Sequence, residues 1–151
     1  MPILRTVLTC VISNLVLHYV GTLEPVFKGV YTCLEPGGVF LLNIEHPVFT
    51  GGAGQRWIEG ENREKYWPVG RYFEPGPRTM DFLGCPVVEQ HHALPQILMG
   101  LLAAGLSLES VEEAVLPEEW MGFAGMEDEL RRPGMLLIRA GKLRARDCAH
   151  A

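Results

Sequence analysis

Two unbroken apolar runs, joined by a helix-forming stretch, constrain the fold more than any other feature of this sequence. Residues 7–12 and 39–44 are apolar without alternation, which is typical of strands buried on both faces of a parallel sheet. Between them, apolar residues recur at helical spacing over 26–34, with Thr22 as the predicted N-cap. Pro36-Gly37-Gly38 ends this helix and turns the chain. Strand, helix and strand in this order predict a βαβ unit with parallel strands.

The rest of the chain alternates between a long irregular connection and further periodic segments. Residues 46–86 are rich in glycine, proline and aromatic residues, which favours a lid or a substrate-shaping insertion over a mobile surface excursion, because solvated linkers are poor in aromatics. Periodicity and turn residues then predict a short segment over 87–91, a helix over 94–104, a strand over 108–115, a short helix over 127–132 and a strand over 135–140. We expect one domain over 1–142, with the insertion at 46–86, and a disordered tail over 143–151.

Composition limits the classes of protein to consider. The chain has 151 residues, 48% of them hydrophobic and 21% charged, which is typical of one globular domain. The net charge of −5 argues against a nucleic-acid partner. The four cysteines form no C-x-x-C pair and indicate reduced thiols of a cytoplasmic protein. Residues 1–20 carry a single arginine and no small-x-small cleavage site, which favours a buried strand over a signal peptide or a membrane span.

Several segments, taken in order, resemble the carboxyl-terminal half of a class I S-adenosylmethionine-dependent methyltransferase, in a branch that acts on small molecules. They are VISNLVLHYV (11–20), VFKGVYTCLEPGGVFLLNIEHPVF (26–49), YFEPGPRTMDFLG (72–84), VVEQHHAL (87–94), LLAAGLSLESVEEA (101–114) and DELRRPGMLLIRAGK (128–142). The resemblance covers residues 7–142. It implies an α/β fold, in which a partial Rossmann-like methyltransferase sheet, with strands equivalent to the fourth to seventh, is flanked by helices and has an antiparallel last strand.

One departure from the family pattern bears on activity. The family's glycine-rich loop would hold the amino-acid part of the cofactor, and an acidic residue after the second strand would bind its ribose. The sequence contains no G-x-G-x-G, and residues 1–6 are too few for the strands that would carry these features. We therefore expect half of the fold, from a truncated reading frame, from a protein whose other half is a second chain, or from a fragment that stands alone. Where the branch tends to have His-Arg, this chain has His91-His92.

The resemblance also implies positions for the ligands. Ligands of open α/β sheets lie beyond the carboxyl ends of the strands. The cofactor, S-adenosylmethionine, would meet Ser13, Asn14 and Leu15 on one wall of its cleft. Glu45 and His46 would lie close to the transferred methyl group. The substrate-binding residues predicted on the same basis are Tyr19, Glu45, Tyr72, Arg78 and His91.

Histidines are the candidate bases, because an imidazole holds or releases a proton near neutral pH. His18 follows the first strand and His46 follows Glu45, so each is a candidate catalytic residue. The competing interpretation is structural for both, as a packing or capping histidine and as part of a loop hydrogen-bond pair. Arg78 equally fits a role in pinning its loop. No set of histidine, cysteine and carboxylate residues has metal-ligand spacing, so the sequence predicts no metal.

These expectations lead to two functional hypotheses. The first is a methyltransferase of small molecules that lacks the glycine-rich cofactor loop, so that activity of the chain alone is doubtful. The alternative is a non-catalytic partner-binding domain, or a truncated fragment, that pairs through an open sheet edge. The expected partners are a small-molecule substrate and either a second copy of the chain or an N-terminal half. No nucleic acid, no membrane and a cytoplasmic location are expected.

Overall fold

The structure of the protein, a computed structural model, describes residues 7–144. In chain order, its helices and strands are β1 (Leu8–Asn14), α1 (Glu24–Cys33), β2 (Leu34–Glu45), α2 (Pro47–Thr50), β3 (Ile58–Glu59), β4 (Lys65–Tyr66), β5 (Gly76–Phe82), β6 (Cys85–His91), α3 (Leu94–Ala103), β7 (Ser107–Glu113), α4 (Met126–Glu129) and β8 (Met135–Gly141). A four-stranded sheet in the order β1-β2-β8-β7 forms the centre.

The direction of the strands confirms the prediction of an α/β sheet with a reversed last strand. β1 runs parallel to β2, with Val11 opposite Phe40 and Asn14 opposite Asn43. β8 is antiparallel to both β2 and β7, so β1, β2 and β7 all run in one direction. The two apolar runs of the sequence are therefore parallel neighbours, joined by α1.

The core lies on one face of this sheet. Phe40 and Ile44 of β2 point into it and are 1% exposed, whereas the alternate residues Leu41 and Asn43 point to the other face and are half-buried. Phe27 of α1 and the apolar residues of α3 cover the core face. Gly100 allows this close contact between helices, since a Cβ atom there would lie 3.1 Å from the Phe27 ring.

The predicted burial of the first strand on both faces is wrong. Ile12 is 68% exposed, and Val7 and Leu8 are exposed as well. β1 pairs only with β2 within the described residues, and nothing in 7–144 packs over the face that carries Ile12. The unbroken apolar pattern indicates what such a strand can bury, but the covering element has to be present for the burial to occur.

Element boundaries differ from the predicted ones by a few residues. α1 is capped by Leu23 without a side-chain hydrogen bond, so Thr22 is not its N-cap. β1 extends to Asn14, and β2 begins at Leu34, so that the predicted turn residues 36–38 lie within it. β7 ends at Glu113, and α4 spans Met126–Glu129 instead of the predicted 127–132. Each difference lies at an end, where side-chain periodicity carries the least information.

The connection after β2 contains more regular structure than its composition predicts. α2 follows β2 directly, β3 and β4 form a short antiparallel pair, and β5 and β6 form a hairpin that ends at His91. In the predicted tail, residues 145–151 lie outside the described part of the chain. Cys10, Cys33 and Cys85 are free and exposed. Among residues 7–144, no helix has the length and apolar character needed to cross a membrane.

Candidate functional site

The candidate site begins where β1 and β2 end side by side. The Leu15 backbone N–H donates to the carbonyl oxygen of Asn43 at 2.9 Å, and Leu15 adopts a φ of 51°, which turns the chain away from the sheet. The short 3-10 helix Leu17–Tyr19 follows and buries the imidazole of His18. On β2, Glu45 occupies the last position. Parallel pairing thus brings two segments that are distant in sequence to one edge of the sheet.

Two buried polar side chains and a half-buried one converge at this edge. A ring nitrogen of His18 and one carboxylate oxygen each from Glu45 and Glu89 lie within 4.8 Å of one another. His18 is 3% exposed and Glu89 is fully buried. Glu89 comes from β6, where alternation places Glu89 and His91 on the same buried face. We call these three residues the acid–histidine cluster.

The pKa values of the two carboxyl groups of the cluster are both raised. Burial, followed by the negative charge of Glu89, raises the pKa of Glu45 to about 8. Burial also raises the pKa of Glu89, against hydrogen bonds from Gln55 and Glu45 that favour its charged form. Burial is the largest cause of the raised pKa in both groups, and it favours their neutral forms.

The acid–histidine cluster presents more acceptor atoms than the protein satisfies. Gln55 donates through Nε2 to Glu89 Oε2 at 2.8 Å. Within the described residues, His18 Nδ1, Glu45 Oε2 and Glu89 Oε1 have no hydrogen-bond partner. Burial also lowers the pKa of His18, so its imidazole is neutral at pH 7. Buried acceptors without partners are costly, and the three side chains that carry these atoms lie close together.

One buried cation lies near the cluster. The Arg132 guanidinium carbon lies 4.1 Å from the centre of the Trp67 ring and 4.5 Å from that of Phe49. Its charge acts to lower the pKa of Glu45, against the larger effect of burial. Glu129 Oε2 lies 2.8 Å from Arg132 Nη2 and provides the arginine's own counter-charge.

His46, the second candidate base, is held in a different environment. Its Nδ1 accepts the backbone N–H of Val48 at 3.0 Å, which caps α2. Its Nε2 lies 3.0 Å from Glu113 Oε1 of β7. The carboxylate beside this imidazole is therefore Glu113 rather than Glu45, because adjacent strand residues point to opposite faces. Burial lowers the pKa of His46, and Glu113 partly opposes this.

His91 and Tyr72 form one hydrogen-bonded unit at the base of the β5–β6 hairpin. The His91 ring contacts the Thr50 hydroxyl through Nδ1 and the Tyr72 carbonyl oxygen through Nε2, both at 2.8 Å. The Tyr72 hydroxyl accepts the backbone N–H of Leu94 at 3.1 Å. The two ring nitrogens of His91 and the hydroxyl of Tyr72 each contact another protein group, so the geometry gives both side chains a structural role.

Arg78 pins its own loop. Its Nη2 donates to the carbonyl oxygens of Arg71 at 3.2 Å and Glu74 at 2.7 Å. Arg78 therefore has the structural role that was predicted as its alternative. The acceptors are backbone carbonyl oxygens.

Of the three predicted cofactor contacts, two line an open cavity. Ser13 and Asn14, together with Ile12, Leu41 and other residues of the sheet, line a cavity of about 330 Å³. Leu15 is exposed beside it. Tyr19 is half-exposed, and its ring centre lies 4.3 Å from that of His18. Burial and the charges of Glu45 and Glu89 raise the pKa of Tyr19.

Glu89, Gln55, Glu113 and Arg132 belong to this region but are absent from the residues predicted as site residues. For Glu89 a signal exists in the sequence, since Val87, Glu89 and His91 alternate with exposed residues in β6. An acid on the buried side of a predicted strand requires a partner. The other three contact the site through pairings that sequence spacing does not reveal.

Comparisons with known proteins agree with this architecture. A crystal structure of a candidate S-adenosylmethionine-dependent methyltransferase from Listeria monocytogenes superposes with a TM-score of 0.84 and 38% identity, over 95% of this chain and 65% of that one. An S-adenosylmethionine-dependent methyltransferase from Mesorhizobium loti gives a TM-score of 0.81 and 33% identity, over 88% of this chain and 61% of that one. The chain thus spans somewhat less than two thirds of these two proteins.

A protein from Haemophilus influenzae, described only as uncharacterized, is 24% identical over 133 residues, which are 87% of this chain and 52% of that protein. No protein-family model matches the chain. The likeness to the solved methyltransferases supports S-adenosylmethionine as the cofactor by resemblance. Its sheet and its likeness to these two solved structures give the chain the fold of the class I S-adenosylmethionine-dependent methyltransferases.

Proposed function

We propose that the chain is the substrate-side part of an S-adenosylmethionine-dependent methyltransferase that acts on a small molecule. This proposal rests on one observation: Asn14, His18 and Glu45 lie close to the carboxyl ends of the parallel strands β1 and β2. Ligands of open α/β sheets bind at such ends. The likeness to two methyltransferases at 33% and 38% identity supports the same activity. We further propose that β1, β2, β7 and β8 are equivalent to the family's fourth to seventh strands.

In this proposal the cofactor meets the chain at Ser13, Asn14 and Leu15. The cavity beside these residues, about 330 Å³, is open and contains apolar and amide groups. The sequence supplies no G-x-G-x-G for the opposite wall. The chain therefore contributes part of the binding energy for the cofactor, and its affinity alone is weak.

The acid–histidine cluster faces the methyl acceptor in this proposal. S-adenosylmethionine supplies the methyl group, which moves from its sulfonium to a nucleophilic atom of the acceptor. The chain's own residues orient that atom and take up the proton it loses. Of the two candidate histidines, His18 fits this role better, because its Nδ1 has no partner among the described residues, whereas protein groups lie against both ring nitrogens of His46. Tyr19 and Glu45 contact the acceptor.

Binding of the demethylated cofactor tests the proposal without knowledge of the acceptor. We expect calorimetric titration with S-adenosylhomocysteine to show weak, millimolar binding that Asn14→Ala reduces. The matched control is Asn62→Gly, which removes an amide side chain at a position whose φ of 64° suits glycine. Absence of binding, or binding that Asn14→Ala leaves unchanged, would contradict the proposed cofactor wall. Micromolar binding would refute the need for a glycine-rich loop.

As partner we propose a second copy of this chain. β1 is an unpaired edge in the described part of the sheet, and its residues LTCVISN carry no charge. An uncharged, exposed edge strand favours pairing with another strand. Two copies of one edge can pair antiparallel about a two-fold axis without like-charge repulsion.

A further inference from the structure

We infer that His18, Glu45 and Glu89 bind a divalent first-row transition-metal ion. The inference rests on the geometry of the cluster and does not require the cofactor, although it uses His18 and Glu45, which the proposed function places at the methyl acceptor. The three side chains offer one imidazole nitrogen and two carboxylate oxygens, with all three atoms within 4.8 Å of one another. Sequence spacing predicts no metal, because the three ligands come from three separate segments of the chain.

The unpartnered atoms point to a ligand rather than to a structural cluster. Within the described residues, His18 is 3% exposed with Nδ1 unpartnered, and Glu89 is fully buried with Oε1 unpartnered. His91 and His92 differ from His18, because the ring of each hydrogen-bonds to another protein group. The partner is the Thr50 hydroxyl for His91 and the Val20 carbonyl oxygen for His92. The acid–histidine cluster therefore has the composition of a site that a cation completes.

The geometry is close to that of a bound ion. Metal–ligand bonds of about 2.0–2.2 Å place two ligand atoms at most ~4.4 Å apart. The 4.8 Å limit within the cluster differs from this by a few tenths of an ångström, which side-chain rotation supplies. Gln55 holds Glu89 through the hydrogen bond to Oε2. Such outer contacts orient carboxylate ligands in metal sites.

The donor set selects the class of metal. One imidazole with two carboxylates suits Mn²⁺, Fe²⁺ or Zn²⁺, whereas Ca²⁺ and Mg²⁺ prefer oxygen ligands alone. A dication also supplies a counter-charge for the carboxylates of Glu45 and Glu89. Three protein ligands leave coordination positions for water or for an oxygen or nitrogen atom of a small molecule.

Mn²⁺ is the probe of choice, because the exposed thiols of Cys10, Cys33 and Cys85 bind Zn²⁺ but have little affinity for the harder Mn²⁺. The full chain is freed of metal with a chelator, its fold is checked by circular dichroism, and Mn²⁺ binding is followed by loss of the paramagnetic resonance signal of the free ion. We expect one Mn²⁺ per chain. A folded chain that binds no Mn²⁺ overturns the inference.

Variants test whether the ion occupies this cluster. Glu89→Gln keeps the shape of the side chain and removes its charge, and His18→Gln serves as an independent second variant. We expect each to abolish Mn²⁺ binding, and Gln55→Ala to weaken it by about 10–100-fold. The matched control Glu113→Gln removes a carboxylate from the other carboxylate–histidine contact, at His46, and leaves Mn²⁺ binding unchanged. Binding that survives in the folded Glu89→Gln and His18→Gln variants overturns the assignment.

Discussion

The side-chain amide of Asn43 donates a hydrogen bond to Asn14 Oδ1 at 2.8 Å, across the parallel pair β1–β2. The carbonyl oxygen of Asn43 also accepts the backbone N–H of Leu15, at 2.9 Å. One residue of β2 therefore holds both the last side chain of β1 and the turn that follows it. The placement of His18 next to Glu45 depends on this pair, because the 3-10 helix Leu17–Tyr19 begins only two residues beyond Leu15.

We expect Asn43→Ala to loosen the end of β1. The variant removes one hydrogen bond, which contributes about 1 kcal/mol to stability. Residues 8–20 should then exchange their amide hydrogens faster, while the backbone bond from Leu15 remains available. Hydrogen–deuterium exchange with peptide resolution measures this effect. Asn62→Gly is the control, and unchanged exchange in 8–20 would show that the Asn14–Asn43 bond does not anchor the edge strand.

Acid should destabilise the protein through its buried histidines. Burial lowers the pKa of His92, whose Nε2 donates to the Val20 carbonyl oxygen at 2.8 Å. A folded-state pKa below the unfolded value of 6.5 contributes stability that is present above pH 6.5 and lost as the pH falls through the folded pKa. His18, His46 and His91 are shifted in the same direction.

His92→Gln keeps an N–H donor for Val20 but cannot titrate. Urea unfolding at pH 7.5 and pH 5 should show a smaller loss of stability in His92→Gln than in the wild type, with part of the loss retained because the other histidines still titrate. The measurement is the difference between the two unfolding free energies. An equal loss in both proteins would mean that His92 is protonated equally easily in the folded and unfolded states.

Tyr72 is expected to stabilise the fold rather than bind a substrate. Tyr72→Phe removes the acceptor of the Leu94 N–H at the start of α3 and leaves that donor without its partner, which costs about 1–3 kcal/mol. Thermal unfolding measures the change. The matched control is Tyr66→Phe, whose hydroxyl contacts Glu64 at the exposed surface and whose loss should cost little. If the two variants were equally stable, the Tyr72 hydroxyl would not be needed for the fold, and Tyr72 would again be a candidate substrate-binding residue.

The sequence predicted the β1–α1–β2 unit because local patterns determine it. Two unbroken apolar runs require no knowledge of distant residues, and the strands are parallel neighbours as predicted. Residues 36–38, predicted as the turn before the second strand, instead lie within β2. The exposure of Ile12 was not predictable from those patterns, since it depends on what lies beyond the strand. The ends of α1 and β7 shifted for a related reason, because capping is decided by backbone contacts rather than by periodicity.

The candidate site was predictable in part for the same reason. His18 and Glu45 were found as polar residues after predicted parallel strands, and position after a strand is a local property. Glu89 reaches them only through the β5–β6 hairpin, and Glu113 reaches His46 only through the pairing of β7 with β8. Such contacts join residues of high sequence separation, so a search by spacing excludes them. One carboxylate near each of the two candidate bases, Glu89 near His18 and Glu113 near His46, was therefore outside the predicted set.

We expect the chain to self-associate through β1. Ile12 is 68% exposed on an edge strand that lacks charged residues, so pairing of two copies would bury apolar surface and satisfy free backbone groups. Sedimentation velocity should show a dimer that Ile12→Lys converts to monomer, because a lysine placed on each copy of the edge brings like charges together. Phe73→Lys is the control, since Phe73 is 86% exposed but lies in the loop before β5. If the wild-type chain sediments as a monomer, the edge strand does not pair with a second copy, and it is either protected or paired with a different polypeptide. If both lysine variants change the sedimentation equally, the association is nonspecific apolar contact and not strand pairing.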